Sequence, residues 1–178
     1  MENEKVFNWD AESFFRILTR ANKLAQQHNF KYCRVSGLQG FEEVLANSQS
    51  DTAFVAVQTE DDGFMTLVNT PHTRRVKTVY LAMRYPINRL GLRSQCFSIM
   101  QELFRQFMSK LLMEKTRLEQ NHIYLDERIQ FSEIEQYFAQ GCACAYFNIA
   151  TEVYTDLRFN ADEWYPRVFD EEYNISFY

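Results

Sequence analysis

Glycine and proline are scarce, with five and three in 178 residues. That scarcity excludes long flexible linkers and collagen-like or low-complexity tracts. A basic excess is lacking too: 19 Lys and Arg stand against 24 Asp and Glu, a formal net charge of −5. Proteins that grip nucleic-acid backbone carry a positive footprint, so that class starts at a disadvantage. No stretch approaches the ~18 consecutive apolar residues of a transmembrane helix. The charged opening, Met1-Glu2-Asn3-Glu4-Lys5-Val6-Phe7, lacks the apolar run of a secretory signal. The sequence therefore predicts neither a membrane partner nor export by a signal peptide. Cys33, Cys96, Cys142 and Cys144 are few and irregularly spaced, which reads as reduced thiols.

Reaction signatures are missing as well. There is no G-x-S-x-G, no H-E-x-x-H and no Gly-rich phosphate loop, and Gly37-Leu38-Gln39-Gly40 has the spacing of a turn. Cys142-Ala143-Cys144 puts two sulfurs on one face of a strand. Zinc sites take C-x₂₋₄-C pairs with a second pair nearby, whereas His28, His72 and His122 are each isolated. These cysteines read as small apolar strand residues. Asp61-Asp62, Asp126-Glu127 and Asp162-Glu163 are the acidic pairs. The first reads as solvated turn residues; the second falls on a predicted strand, where neighbours point to opposite faces and do not converge. No catalytic, cofactor-binding or metal-ligating residue is assigned, and the chain is not read as an enzyme.

What is present is bulk for a core. Apolar residues make up 46 % and aromatics 16 %, with sixteen Phe and ten Tyr. Phe14, Ile17, Leu18, Ala21, Leu24 and Ala25 recur at helical spacing behind Asp10, a good N-cap, and predict a helix over about 10–28. Residues 31–35 predict a short strand and 41–46 one helical turn. Residues 53–59, 63–70 and 74–84 are rich in Val, Thr, Phe and Tyr and predict a three-stranded antiparallel meander, with Asp61-Asp62-Gly63 as the first hairpin turn. A helix over about 92–119 follows, its apolar face made by Phe97, Met100, Phe104, Phe107, Met108, Leu111 and Leu112 and widened by Ile99 and Leu103. Ile123, Leu125 and Ile129 predict strand, residues 132–138 fit strand or a helical turn, and residues 142–154 alternate with period two. Pattern alone does not place that last strand in the sheet of the meander.

The expected fold is α+β: an antiparallel sheet, made of the 53–84 meander and later strands, packed on the long helix and the N-terminal helix. Residues 1–155 form the expected single domain. Residues 156–178 form an acidic, aromatic extension, packed on the domain or used in assembly.

Charge is uneven along the chain. Residues 1–90 hold 11 basic and 10 acidic side chains, and residues 91–178 hold 8 and 14. The one basic cluster is Arg74, Arg75 and Lys77, which reads as a solvated strand end or as a contact to an acidic partner surface, including the acidic half of a neighbouring copy. Arg74, Arg75 and Lys77, with Trp164 and Tyr165 of the extension, are the candidate protein-interface residues.

The order of elements is an N-terminal helix, a meander, a long helix and a return to strand. With residues 78–85 closing the sheet and Ala145-Tyr146-Phe147-Asn148-Ile149-Ala150-Thr151 in the late strand, it resembles the tail-terminator and tail-completion (neck) proteins of long-tailed bacteriophages and prophages over about residues 10–155. The resemblance implies a non-catalytic virion-assembly subunit that forms a ring, in some members a hexamer, at the head–tail junction. Its partners would be tail-tube or neck proteins, its sheet edges and loops would meet neighbouring subunits, and it would act in the host cytoplasm during assembly or in the virion. An acidic lumen would let DNA slide without sticking, so no sequence-specific nucleic-acid binding and no cofactor is implied. The helix length and the aromatic tail after Thr155 depart from the family pattern. Two other readings stand beside it: a small intracellular adaptor or regulatory domain that presents the 156–178 segment, and an enzyme with an acidic pocket.

Overall fold

Asp10 opens the chain's first helix by accepting from the Ser13 amide at 2.8 Å, which satisfies one of the orphan donors of the first turn. In the computed structural model, residues 9–67, 69–134 and 141–163 are described. The predicted 10–28 helix is two helices, α1 (Ala11–Ala21) and α2 (Lys23–Gln27), broken at Asn22. Asn22 is extended (φ −79°, ψ 126°), its Oδ1 accepts from the Ala25 amide at 2.9 Å, and its Nδ2 donates to Gln106 Oε1 at 2.7 Å. The break is a cap held by the long helix. Phe15, not Phe14, is the deepest aromatic of α1, and Ile17 is exposed.

Strand β1 (Phe30–Val35) follows, then α3 (Leu38–Asn47), β2 (Ala53–Gln58), β3 (Asp62–Thr66) and β4 (His72–Arg84). The long helix α4 (Gly91–Gln120), β5 (Ile123–Leu125), β6 (Phe131–Glu133) and β7 (Cys142–Tyr154) come next, and a 3₁₀ turn at Ala161–Glu163 is last among the described residues. Helix α3 begins three residues before the expected turn, because Gly37 takes φ +123°, a conformation that favours glycine, and reverses the chain just ahead of it. Arg84 ties the end of α3 down, its guanidinium donating to the carbonyls of Leu45 and Asp51.

The seven strands among the described residues belong to one mixed, mostly antiparallel sheet, so the fold is α+β as expected and the late strand shares the sheet. β4 and β7, thirteen residues each, pair antiparallel along their whole length, from His72 opposite Tyr154 to Arg84 opposite Cys142. That leaves one edge of β4 for both β2 and β3. β2 lies against Val79–Met83 and β3 against His72–Val76. The residues Asp61-Asp62-Gly63 are therefore not a hairpin turn. The chain runs on in the same direction, and the step from Val57 to Asp62 spans five residues where β4 spans three, from Val79 to Val76. This is a two-residue bulge in one long arm, and the reversal comes between Thr66 and His72, the paired ends of β3 and β4. β5 and β6 repeat the device on the outer edge of β7, with Leu125 opposite Thr151 and Phe131 opposite Phe147. Asp126-Glu127-Arg128, expected on a strand, lies in that second break. β1 extends the sheet by parallel pairing with β2.

One face of the sheet is covered by α1, α2 and α4. Val55, Val57, Val79, Leu81, Ala145, Phe147 and Ile149 meet Phe15, Met100, Leu103, Phe107 and Leu111 there. Leu112, expected on that helix face, is 69 % exposed instead. The other face is covered at one end only, where Phe41 and Leu45 of α3 pack on Phe54, Tyr80, Ala82, Cys142 and Cys144. Burial of this much apolar surface, at ~25 cal/mol per Å², is the main stabilising term.

Candidate functional site

Arg74, Arg75 and Lys77 all stand on β4, but strand alternation divides them. Arg74 belongs to the face that carries Tyr80 and Ala82; Arg75 and Lys77 belong to the α4 face with Val79. Arg74 is doubly paired, with Nη1 2.6 Å from Glu152 Oε1 and Nη2 2.7 Å from Asp126 Oδ2. The hydrogen bond from Arg74 holds the Asp126 carboxyl below its ordinary range. Lys77 reaches Asp61 Oδ1 at 2.7 Å and Glu12 Oε1 at 3.5 Å, and donates to the carbonyls of Thr59 and Gln58 at 2.7 and 3.1 Å. Glu12 in turn takes Arg34 at 2.7 Å. Only Arg75 is exposed with no ion pair or hydrogen bond among the described residues. The cluster that looks uniform in sequence is two neutralised arginine and lysine networks and one free cation.

The arm made by β3 and its stretch of β4 has a different character. Beyond its pairing with β4, β3 has no strand neighbour among the described residues, so its outer N–H and C=O groups form a free edge. Phe64, Met65 and Leu67 are 58, 47 and 70 % exposed on that arm. A flat edge with exposed apolar side chains is a template for pairing with another chain. Gly63 permits the arm's close approach to β4, because a Cβ there would sit 2.1 Å from the Arg74 carbonyl oxygen. At the tip, Asn69 and Thr70 have φ of +55° and +78°, and Thr155 pins it, its amide donating to the Pro71 carbonyl at 2.9 Å.

Across the sheet, beyond β5, a groove of about 490 Å³ runs between α4 and the break that holds Asp126 and Glu127. Phe104, Met108, Leu112, Leu125 and Ile129 give it an apolar lining. On its rim Lys115 Nζ lies 2.7 Å from Glu127 Oε1, and Glu127 is 82 % exposed. A smaller recess of about 290 Å³ lies at the start of α1, with Lys77, Arg75, Glu12 and Asp61 around it. Opposite charges share its wall, which leaves no single sign to attract a ligand.

The Asp126-Glu127 pair diverges rather than converges. Asp126 goes to Arg74 and Glu127 to Lys115. The four thiols are free. Burial pushes Cys33 and Cys142 up to about 11, Cys144 higher still, and raises Cys96 as well, which disfavours the thiolate at each. Cys142 and Cys144 do share a strand face, under α3. Among the described residues no group of three or more His, Cys, Asp or Glu gathers to hold a metal ion, and no helix is long and apolar enough to cross a membrane. Trp164 and Tyr165 lie outside the described residues. The apolar arm and the groove escaped sequence reasoning, although Gly63-Phe64-Met65 beside a bulge carried the signal. No protein-family model and no curated protein matches the chain.

Proposed function

We propose that this chain is a non-catalytic assembly subunit that associates with copies of itself into a ring, in the manner of tail-completion proteins at a phage head–tail junction. The observation that supports this reading is the free, apolar edge of β3. Exposed Phe64, Met65 and Leu67 on one five-residue edge strand and its tip are a liability for a chain that works alone and an asset for one that pairs. Tail-tube or neck proteins are the further partners, reached once the ring is closed.

Light scattering coupled to size exclusion, run over a range of concentrations and at two salt levels, tests the reading. A discrete oligomer of ring size supports it. A monomer at every concentration that also captures no tail-tube protein overturns it and favours an adaptor.

A further inference from the structure

The β3 edge and the α4 groove lie at one level on opposite edges of the same sheet. Residues 63–65 of β3 oppose 73–75 of β4, these oppose 151–153 of β7, and these oppose Ile123–Leu125 of β5. Three strand spacings of ~4.8 Å separate the two edges, roughly 14 Å. Both present matching chemistry on the same side of the sheet. Met65 pairs with Thr73 and Gly63 with Arg75, so the Met65 and Arg75 side chains share the face on which α4 packs, the face that Leu125 also joins. The arm offers an apolar knob, Met65 and Leu67, beside an unpaired cation, Arg75. The groove offers an apolar floor, exposed Leu112 and, on its rim, the 82 % exposed carboxylate of Glu127, which Lys115 holds through one oxygen, Oε1.

Resting on the assembly reading, we infer that the β3 arm of one copy docks into the α4 groove of the next, head to tail. Met65 and Leu67 lie against Leu112, Met108 and Ile129, and Arg75 faces Glu127. Knob and groove are different patches of one surface, so the contact is heterologous and repeats around a ring if the rotation closes. Apolar burial supplies most of the affinity, while the exposed Arg75–Glu127 contact chiefly sets the register. A second copy is the occupant that fits, because it alone is certain to carry the complementary patch wherever the groove is present.

Two exposed-site variants, Met65→Asp and Leu112→Asp, test the contact, since neither removes a buried side chain. Sedimentation should show each variant alone weakened in self-association by about tenfold or more, with unchanged circular dichroism and melting temperature. Mixed together, they should form a species of twice the chain mass, because one intact arm then meets one intact groove. Charge reversal gives an independent readout: Arg75→Glu and Glu127→Lys should each weaken assembly, and the double variant should recover it.

An oligomer that persists in both aspartate variants overturns this contact and leaves the ring reading standing on another surface. Loss of assembly in Met65→Asp alone, with no restoration on mixing, also overturns it and points to β3 pairing with β3 in a two-fold dimer. A wild-type monomer at all concentrations overturns the contact and removes the support for the ring.

Discussion

The ammonium of Lys77 lies 2.7 Å from Asp61 Oδ1, at the point where β2 gives way to β3. The same nitrogen takes the carbonyls of Thr59 and Gln58, so one cation satisfies the backbone oxygens that the bulge leaves without partners on β4. The side chain is 15 % exposed. Replacing it with Met would leave two carbonyls and the Asp61 carboxylate without this donor, while Glu12 keeps Arg34. The expected cost of Lys77→Met is ~2 kcal/mol, or roughly 4–8 °C in melting temperature for a chain of this size. Arg75→Met, two residues away and unpaired, should stay within about 0.5 kcal/mol. Urea denaturation of the two variants checks this; equal effects would contradict the contrast between a paired Lys77 and an unpaired Arg75.

Gly63 is a second pivot of the arm. A Cβ there would meet the backbone carbonyl of Arg74, which no rotamer change relieves. Gly63→Ala should separate β3 from β4 and cost about 1–3 kcal/mol, as overpacking does. Amide hydrogen exchange would show faster exchange confined to residues 62–66 and 72–76, with β7 protection retained at residues 142–148. Unchanged exchange in β3 would contradict the register.

Local pattern carried the elements that depend on local pattern. Helix α4 and strand β7 were legible, because thirty residues of helical spacing and thirteen of alternation leave little choice of conformation. The bulge was not. Asp-Asp-Gly chemistry suits a turn and a strand break equally, and what decides is the length of β4, thirteen residues that can accept both β2 and β3. The break at Asn22 likewise depends on Gln106, 84 residues away. The split of Arg74 from Arg75 and Lys77 follows from strand alternation and was readable in principle. The neutralising partners of Arg74 were not, since Asp126 and Glu152 come from the other half of the chain. The acidic excess of that half is thus partly spent inside the molecule.

Acid should expose the Arg74 network. The Arg74 hydrogen bond lowers the Asp126 carboxyl below its ordinary 3.8. A carboxyl with a depressed folded-state value contributes stability that is present above the unfolded value and is lost as pH falls through the folded one. Wild type should therefore exceed Asp126→Asn in urea midpoint at pH 6, and the gap should close as pH drops below about 4. A gap that widens on acidification would contradict the pairing.

The thiols offer a test of packing on both sheet faces. Cys142 and Cys144 lie under α3, Cys96 lies in the α4 core, and Cys33 is half-buried on β1 beside Val35 and the α3 cluster. Burial raises all four above the ordinary thiol value of 9.0, so thiolate is scarce at pH 8 and a disulfide reagent must also wait for the site to open. Native protein should label slowly at all four positions, with Cys33 first, and unfolded protein should label four thiols at once. Labelling of Cys142 and Cys144 should accelerate in Arg84→Met, which removes the donor that holds the Leu45 and Asp51 carbonyls and so frees the end of α3, while Cys96 on the other face keeps its native rate. Uniform acceleration at every thiol would mean that α3 opens only with the whole fold, and that the two faces of the sheet unfold as one unit.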